Sequence, residues 1–522
     1  MTPAIFKLLL WATFWIAAAV PARAQAQQGV PAAGPTLDVQ RYVVEGPLPL
    51  APQVVREVLA AHLGEGRSLT QIEAAGQALE QRLREAGFPF HRVHVPAQRP
   101  ERGEVRLQVV AIRLGEVEVV GNRHFSEDHI RAGLPALQEG QPPALSSLGL
   151  QLAVGNGNPA RRATIVFRES RQPATVDAVV RVRDLPPQAF IVSGMASVGG
   201  KGSSRDVLRL VGTWQHANLW GRDHVATLSW GTDPRDVGRV RMAAAHYQVP
   251  LPALGLTAAG FFTHSEVDSG RIPIGDGFFD VSGSGRFIGL RLTRSLARLG
   301  SAEPTLAVGL EDRLFRNETT FISQRLQPDV SSRVLTVQAS ARAEQAWGTW
   351  SASLDWAGNL GGGSNNTDAA HDENQGDRAW RSVRWSVEAA VPTGGWQVLG
   401  RTRGQYSGSR LVSGEQFGIG GAQSVRGFGD RVAVGERGAL LNLEAVAPSW
   451  GDGGLRPVFF LDLGRVRPRM ADSNVLAAAG AGLRWGTPDW QVTLDLARVL
   501  EHRGRPAERG DLRLHLAVVA RY

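Results

Sequence analysis

Residues Val383–Tyr406 read VRWSVEAAVPTGGWQVLGRTRGQY. Val383, Trp385, Val387, Ala389 and Val391 alternate with Arg384, Ser386, Glu388 and Ala390. A Pro-Thr-Gly-Gly turn, Pro392–Gly395, follows. Then Trp396, Val398, Gly400, Thr402, Gly404 and Tyr406 alternate with Gln397, Leu399, Arg401, Arg403 and Gln405. Strand side chains point to opposite faces with period two, so this is a hairpin with one apolar and one charged face. In a water-soluble sandwich the apolar face would be the core; in a membrane barrel it faces lipid and the polar face lines a wet lumen. Period alone leaves both open.

The same grammar recurs outward from the hairpin. Trp350, Ala352, Leu354 and Trp356 alternate with Ser351, Ser353 and Asp355, and Trp490, Val492, Leu494 and Leu496 with Gln491, Thr493 and Asp495. Trp350, Trp356, Trp385, Trp396, Trp485 and Trp490 read as strand-end residues, where interfacial girdles lie. The connections are unequal: Pro392–Gly395 is tight, whereas Ala357–Ala379 is long and rich in Gly, Asn and Asp. The last strand alternates Leu512, Leu514, Leu516, Val518 and Ala520 with Arg513, His515, Ala517, Val519 and Arg521, and ends on Tyr522. A terminal aromatic after such a strand resembles the signal read by the outer-membrane barrel assembly machinery, with Leu514, Leu516, Val518 and Tyr522 carrying it. These features favour the barrel.

The N-terminus points to export. Lys7 precedes an apolar run, Leu8–Val20, then Pro21 and Ala22-Arg23-Ala24. This reads as a secretory signal peptide over 1–24 with a mature start at Gln25, cleavage after Ala26 being the alternative. An uncleaved anchor would need a longer apolar run. The chain has no cysteine, which a barrel closed by its own hydrogen bonds does not require. The net charge of +8 comes almost wholly from scattered arginine, Lys7 and Lys201 being the only lysines, so it forms no nucleic-acid-binding block.

Before Pro186-Pro187 the pattern mixes helices and strands. Leu37–Glu45 reads as a strand, Pro52–Leu63 as a helix with Pro at its start, and Thr70–Glu73 as a capping box opening a second helix whose apolar face is Ile72, Ala75, Leu79, Leu83 and Ala86. Gly87 stops it, and strands Phe90–Val95 and Glu104–Ile112 follow. The order β-α-α-β-β repeats with strand Gly115–Val120, a helix capped by Ser126, helix Pro143–Val154, and strands Ala163–Arg168 and Thr175–Arg183. One irregular α/β domain is the alternative. The divisions are 25–36 as a short lead segment, 37–113 and 114–185 as the two units, and 188–522 as the barrel.

The strongest local signal is Ser413–Phe428, SGEQFGIGGAQSVRGF, in a loop between strands Leu411–Ile419 and Ala439–Ala447. Downstream, Phe460-Leu-Asp462-Leu-Gly464 forms a strand in which Phe459, Leu461 and Leu463 face lipid. Phe460, Asp462 and Gly464 then face the lumen, where a carboxylate needs a partner or water. Arg426 on an inward-folded loop supplies a bidentate one, and Gly427 lets the backbone approach the wall. The pair is expected to sit in a wet lumen and to fix the loop rather than the fold. His124 with Glu127, and His264 with Glu266, form no cluster of metal-ligand spacing, so neither a catalytic nor a metal site is expected.

The two motifs Val425-Arg426-Gly427-Phe428 and Phe460–Gly464 resemble those of the two-partner secretion transporters of the ShlB/FhaC/HecB family. Val119–Ser126, Asn156–Pro159, Asn218–His224 and Trp230–Pro234 are similar to further stretches of that family. The resemblance implies two polypeptide-transport-associated (POTRA) domains in the periplasm of a Gram-negative cell, then a sixteen-stranded barrel in the outer membrane. It implies secretion of a large unfolded partner of adhesin or haemolysin type, contact with outer-membrane lipid and lipopolysaccharide, no cofactor and no catalysis. A barrel assembly factor of the same superfamily is the alternative. Several members plug the pore with an N-terminal helix; Gln25–Thr36, with Pro31 and Pro35, is too short for that at about 1.5 Å per residue. In POTRA domains the strand after the second helix lies at an edge, so Phe90, His91, Arg92, Val93, His94 and Val95 are the expected docking edge, a neighbouring domain covering it being the alternative.

Overall fold

In the computed structural model the described residues are 36–522, except 100–101, 200–206, 238–239, 267–269, 275–276, 282–283, 317–319, 322–323, 326, 452–453 and 504–508. The expected signal peptide and residues 25–35 lie outside them.

The first body begins with β1 (Thr36–Val39), β2 (Arg41–Glu45), α1 (Pro52–Ala60), β3 (Gly64–Ser68) and α2 (Leu69–Glu85), and continues with β4 (His91–His94) and β5 (Glu104–Ala111). Its sheet has the order β2-β5-β4, with β2 and β5 parallel, and β1 pairs with β3. Strand β3 was not foreseen, because Gly64-Glu-Gly-Arg-Ser68 has no apolar alternation. The expected capping box is displaced by two residues. Ser68 Oγ accepts from the Gln71 N–H at 3.3 Å, while Gln71 Oε1 accepts from the Ser68 N–H at 2.9 Å. Ser-x-x-Gln satisfies the same geometry as Thr-x-x-Glu and lies where the chain leaves β3. The apolar stripe is as read: Ala75, Leu79 and Leu83 are fully buried and Ile72 nearly so.

The second body opens with β6 (Arg113–Val120), α3 (Glu127–Ala132), α4 (Leu145–Gly155), β7 (Arg161–Glu169) and β8 (Thr175–Asp184). Its sheet has the order β6-β8-β7, and Leu114, Val117, Phe125, Ile130, Ala178 and Val180 form its core. Ser126 caps α3 by accepting the His129 N–H. The loop before it is held by Asp184, whose carboxylate accepts N–H groups of Arg123, His124 and Phe125 at 2.8–3.1 Å.

The same body continues into sixteen antiparallel strands that close on themselves. They are β9 (Gln188–Gly199), β10 (Val207–Leu219), β11 (His224–Thr232), β12 (Arg241–Leu251), β13 (Leu256–Ser265), β14 (Gly285–Ser295), β15 (Glu303–Phe315) and β16 (Val330–Gln345). The second half is β17 (Gly348–Asn359), β18 (Arg381–Thr393), β19 (Trp396–Tyr406), β20 (Arg437–Val446), β21 (Arg456–Arg467), β22 (Asn474–Gly486), β23 (Trp490–Arg503) and β24 (Leu512–Arg521). Strand β24 pairs back onto β9, from Arg513 opposite Gly199 to Arg521 opposite Ile191. The final strand ends at Arg521, but Tyr522 still exchanges both backbone hydrogen bonds with Phe190, at 2.8 and 2.9 Å. Closure leaves no open edge among these strands, the condition for crossing a bilayer with strands.

The faces settle which solvent each sees. On β14, Ile288, Leu290 and Leu292 are exposed, Leu290 by 70%, while Phe287 points inward and is buried. On β15, Leu306, Val308 and Leu310 are exposed, while Glu311 and Arg313 are buried. A continuous exposed apolar belt around a buried polar interior is the pattern of a membrane barrel. Trp350, Trp396, Trp485 and Trp490 lie at or near the ends of their strands. Trp385 does not: it lies inside β18, opposite Gly404 on β19. A Cβ at Gly404 would stand 2.0 Å from the indole, so the ring covers a glycine rather than belonging to a girdle.

Candidate functional site

Residues 407–436 connect β19 to β20 and fold into the lumen as a lid. The expected strand Leu411–Ile419 is not a barrel strand. A 3-10 turn occupies Ser413–Glu415, and only Phe417–Ile419 is extended, paired within the lid to Ala433–Gly435. Gly-rich sequence on both sides lets the lid turn back on itself, as positive φ at Gly420 (107°) and Gly421 (99°) requires.

The tip of the lid carries Val425-Arg426-Gly427-Phe428. The Arg426 guanidinium meets Asp462 of β21 with Nε at 2.7 Å and Nη2 at 2.8 Å, and its own backbone N–H donates to the same carboxylate at 3.1 Å. Nη1 reaches Glu444 at 2.7 Å and Asp495 at 3.1 Å, and the guanidinium lies 3.5 Å from the Phe460 ring centre. Asn442 donates to Asp462 and to the Ser424 carbonyl. Arg484 pairs with Asp495 at 2.5 Å. The Gly427 N–H donates to His515 Nε2 at 3.2 Å, and His515 Nδ1 lies 3.0 Å from Ser197, so the tip also touches the β24–β9 closing pair.

One expectation changes here. The ion pair is not bathed in water: Arg426 is 3% and Asp462 0% exposed. Val425 and Phe428 fill an apolar pocket with Ile419, Leu440, Val466, Leu476, Ala478 and Val499, which keeps the pair dry. Breaking such a buried pair is therefore costly, not marginal. Gly427 does bring the backbone to the wall, where a Cβ would stand 3.3 Å from Val499 Cγ2, and Gly464 makes a second, tighter approach from the wall side. A Cβ at Gly464 would meet Val425 Cγ2 at 2.8 Å, and Gly427 is required by its φ of 91° as well. Glu444, Asp495 and His515 were not singled out from sequence. Their signal was a charged or polar residue at the inward phase of an alternating strand.

At the other end of the lid, Glu415 is buried against β15, β18 and β19. Arg313 Nη1 contacts its two carboxylate oxygens at 2.9 and 2.7 Å, and Arg384 Nη2 lies at 3.1 Å. Nothing in the sequence alone singled out this residue.

Two of the motif stretches meet at the junction between the second unit and the barrel. Asp223, in the turn after β10, is buried with a φ of 58°. It binds Arg161 at 2.5 Å and Asn158 Nδ2 at 3.2 Å, and His129 Nε2 lies 3.0 Å away. Asn158 also donates to the Ala217 carbonyl at 2.6 Å. Thus Asn156–Pro159 and Asn218–His224 form one joint.

In the first body, β4 lies at the edge of its sheet. It covers His91–His94, because Pro89 and Phe90 form a turn. His91 is buried, so it does not guard the edge as expected; Arg92 and His94 are exposed. The Val93 N–H donates to Glu80 Oε2 of α2 at 3.1 Å. At the C-terminus Leu514, Leu516 and Tyr522 are exposed on the outer face, and the Tyr522 ring stands edge-on to Trp490.

Comparison with known proteins agrees with this architecture. The family model for haemolysin secretion/activation protein ShlB/FhaC/HecB matches residues 200–485, and that for the ShlB-type POTRA domain matches residues 37–111. The outer membrane transporter CdiB of Dickeya dadantii (strain 3937) is 24% identical over 411 residues, covering 75% of this chain and 69% of that protein. The structure of CdiB from Escherichia coli superposes with a TM-score of 0.74 at 19% identity, covering 95% of this chain and 93% of that one. CdiB from Acinetobacter baumannii gives 0.72 at 17% identity, covering 94% and 90%.

Proposed function

The chain belongs to the haemolysin secretion/activation family ShlB/FhaC/HecB, and from that premise we propose how it takes and passes its cargo. It is a two-partner secretion transporter of the outer membrane, with POTRA domains in the periplasm, that exports a large partner protein. In our reading the partner is of adhesin or haemolysin type and docks unfolded along His91–His94. Residues 37–113 and 114–185 act as the two periplasmic domains and 188–522 as the pore. The outer belt contacts lipid and lipopolysaccharide. The terminal strand, with Leu514, Leu516, Val518 and Tyr522, is read by the barrel assembly machinery.

The observation that carries the docking reading is the sheet order β2-β5-β4, which leaves β4 at an edge. A variable unfolded sequence offers the same N–H and C=O groups at every residue, so backbone pairing recognises it where side-chain pockets cannot. The Glu80 carboxylate on the Val93 N–H acts as an internal cap that discourages chance pairing and that a guest strand must displace. Inside the barrel, Arg298, Glu303, Arg342, Glu388 and Arg401 line a cavity of about 780 Å³, a mixed-charge vestibule with little to hold any one sequence.

Two variants test the docking edge. Val93→Pro removes the donor and should lower secretion while the barrel still reaches the outer membrane. Glu80→Ala leaves that donor free, and secretion should stay level or rise. If Val93→Pro secretes normally, or if Glu80→Ala loses secretion to the same extent, β4 is not the docking strand.

A further inference from the structure

We propose that Glu415 is a second latch on the lid, at the end opposite Arg426, and that the pore opens only when both release. The lid is held to two different sets of strands. Glu415 is held by the seventh, tenth and eleventh barrel strands through Arg313, Arg384 and Gln405, and Arg426 by the twelfth, thirteenth and fifteenth through Glu444, Asp462 and Asp495. The two sites share no strand, so a lid pinned at both is held along a longer arc of the wall than a single latch would give.

The Glu415 site is built as a latch and not as an incidental surface pair. Its carboxylate is 1% exposed. Arg313 is shared with Glu311 at 2.6 Å, while Arg384 Nε is fixed by Gln405 Oε1 at 2.7 Å. Gln405 in turn donates to the Glu415 carbonyl at 3.0 Å. Three guanidinium groups, counting Arg291 at 3.7 Å from Glu311, face two carboxylates, so both buried carboxylates are paired, the condition under which buried ions are tolerated. The neighbouring Gly414 lies under Phe315: a Cβ there would stand 2.1 Å from the ring, so the backbone is pressed against the wall. Phe315 packs with Phe287, Val330, Val412 and Ala370. Ala370 belongs to α5 (Asp368–Glu373) in the loop after β17, so that loop covers the same end of the lid.

Charge pairs suit a movable part. While the lid is seated they are dry, paired and strong; once it lifts, water enters and solvates both halves, and an exposed pair is worth little. The apolar contacts that accompany both sites, Val425 and Phe428 at one and Val412 at the other, add to the cost of lifting. Release of one end leaves the lid tethered at the other, so passage of a chain requires both.

Planar-bilayer conductance of Glu415→Gln, Arg384→Gln, Arg426→Ala and the Glu415→Gln/Arg426→Ala double variant tests this, each barrel first shown folded by heat-modifiable migration. Each single change should raise time-averaged conductance by about tenfold or more, the shift expected when a two-state lid loses one charge-assisted hydrogen bond. The double variant should exceed either single one. If Glu415→Gln does not assemble, Arg384→Gln decides alone, since its side chain is 37% exposed and water replaces the lost group. Folded Glu415→Gln and Arg384→Gln barrels conducting like the parent, or a double variant no different from Arg426→Ala, would overturn the proposal.

Discussion

The barrel and the second periplasmic unit bury opposite things. In the unit, Leu114, Ile130 and Val180 are inside, and removing them from water holds the fold. In the barrel, Leu290 and Leu463 are outside while Asp462 and Glu415 are sealed within. There the closed ladder of strands holds the fold, and the buried charges hold a part that has to move. The residues that fold this protein and those that gate it are therefore separable in the barrel, and much less so in the periplasmic unit.

That separation breaks if Arg426→Ala disturbs assembly. The variant leaves Asp462 without its bidentate partner, and loss of one partner of a buried pair costs about 3–5 kcal/mol. The cost should fall on lid seating. Heat-modifiable barrel should form as in the parent while secretion is lost, and Arg426→Lys should not restore it because lysine lacks the planar fork. Normal secretion with the lid displaced would refute the role.

The opposite solvents are tested by one substitution made twice. Leu290→Arg, on the outer face of β14, should cost about 2–4 kcal/mol near the bilayer midplane and depress the yield of folded barrel. Leu69→Arg, at a residue 59% exposed in the first body, should stay within about 0.5 kcal/mol in thermal unfolding. Equal effects at the two sites would mean that the outer face is not in lipid.

A smaller effect separates the periplasmic unit from the barrel by pH. Burial by itself would push the Asp184 carboxyl up, but the N–H groups of His124, Arg123 and Phe125 outweigh it and hold it below its usual range. A depressed carboxyl stabilises the fold above its unfolded value, and this contribution is lost as pH falls through the folded one. Asp184→Asn should cost about 1.5–3 kcal/mol at neutral pH, the worth of hydrogen bonds to a charged group, and little in acid. Unfolding of the periplasmic region followed by amide exchange should show that convergence; a constant difference across pH would remove Asp184 from this role.

Much of the fold was legible in the sequence because period two and period 3.6 leave different traces. The β18–β19 hairpin, the inward phase of Asp462 and the stripe Ile72, Ala75, Leu79 and Leu83 were all readable from spacing alone. Strand β3 was not, since it lacks alternation, and Trp385 was misplaced because a lipid-facing ring can also serve to cover a glycine. Of the site, Arg426 and Asp462 were legible from the Gly-rich loop and the inward phase of the strand, and the family motifs agree with them. Glu444, Asp495 and His515 went unremarked because each strand, read by itself, shows only a polar residue at an ordinary inward position.

By itself the sequence determined the strand grammar, which face of each strand is apolar, and the presence of one arginine and one aspartate whose chemistry fits. These are local properties, set by the alternation of the backbone and by side-chain type. Only the tertiary structure decided that the arginine and its partner are dry, that Gly464 makes a close approach beside that of Gly427, and that Glu415 is seated on strands other than those that hold Arg426. Burial and contact within a lumen arise only when the sixteenth strand meets the first, because closure alone fixes which distant residues share the interior.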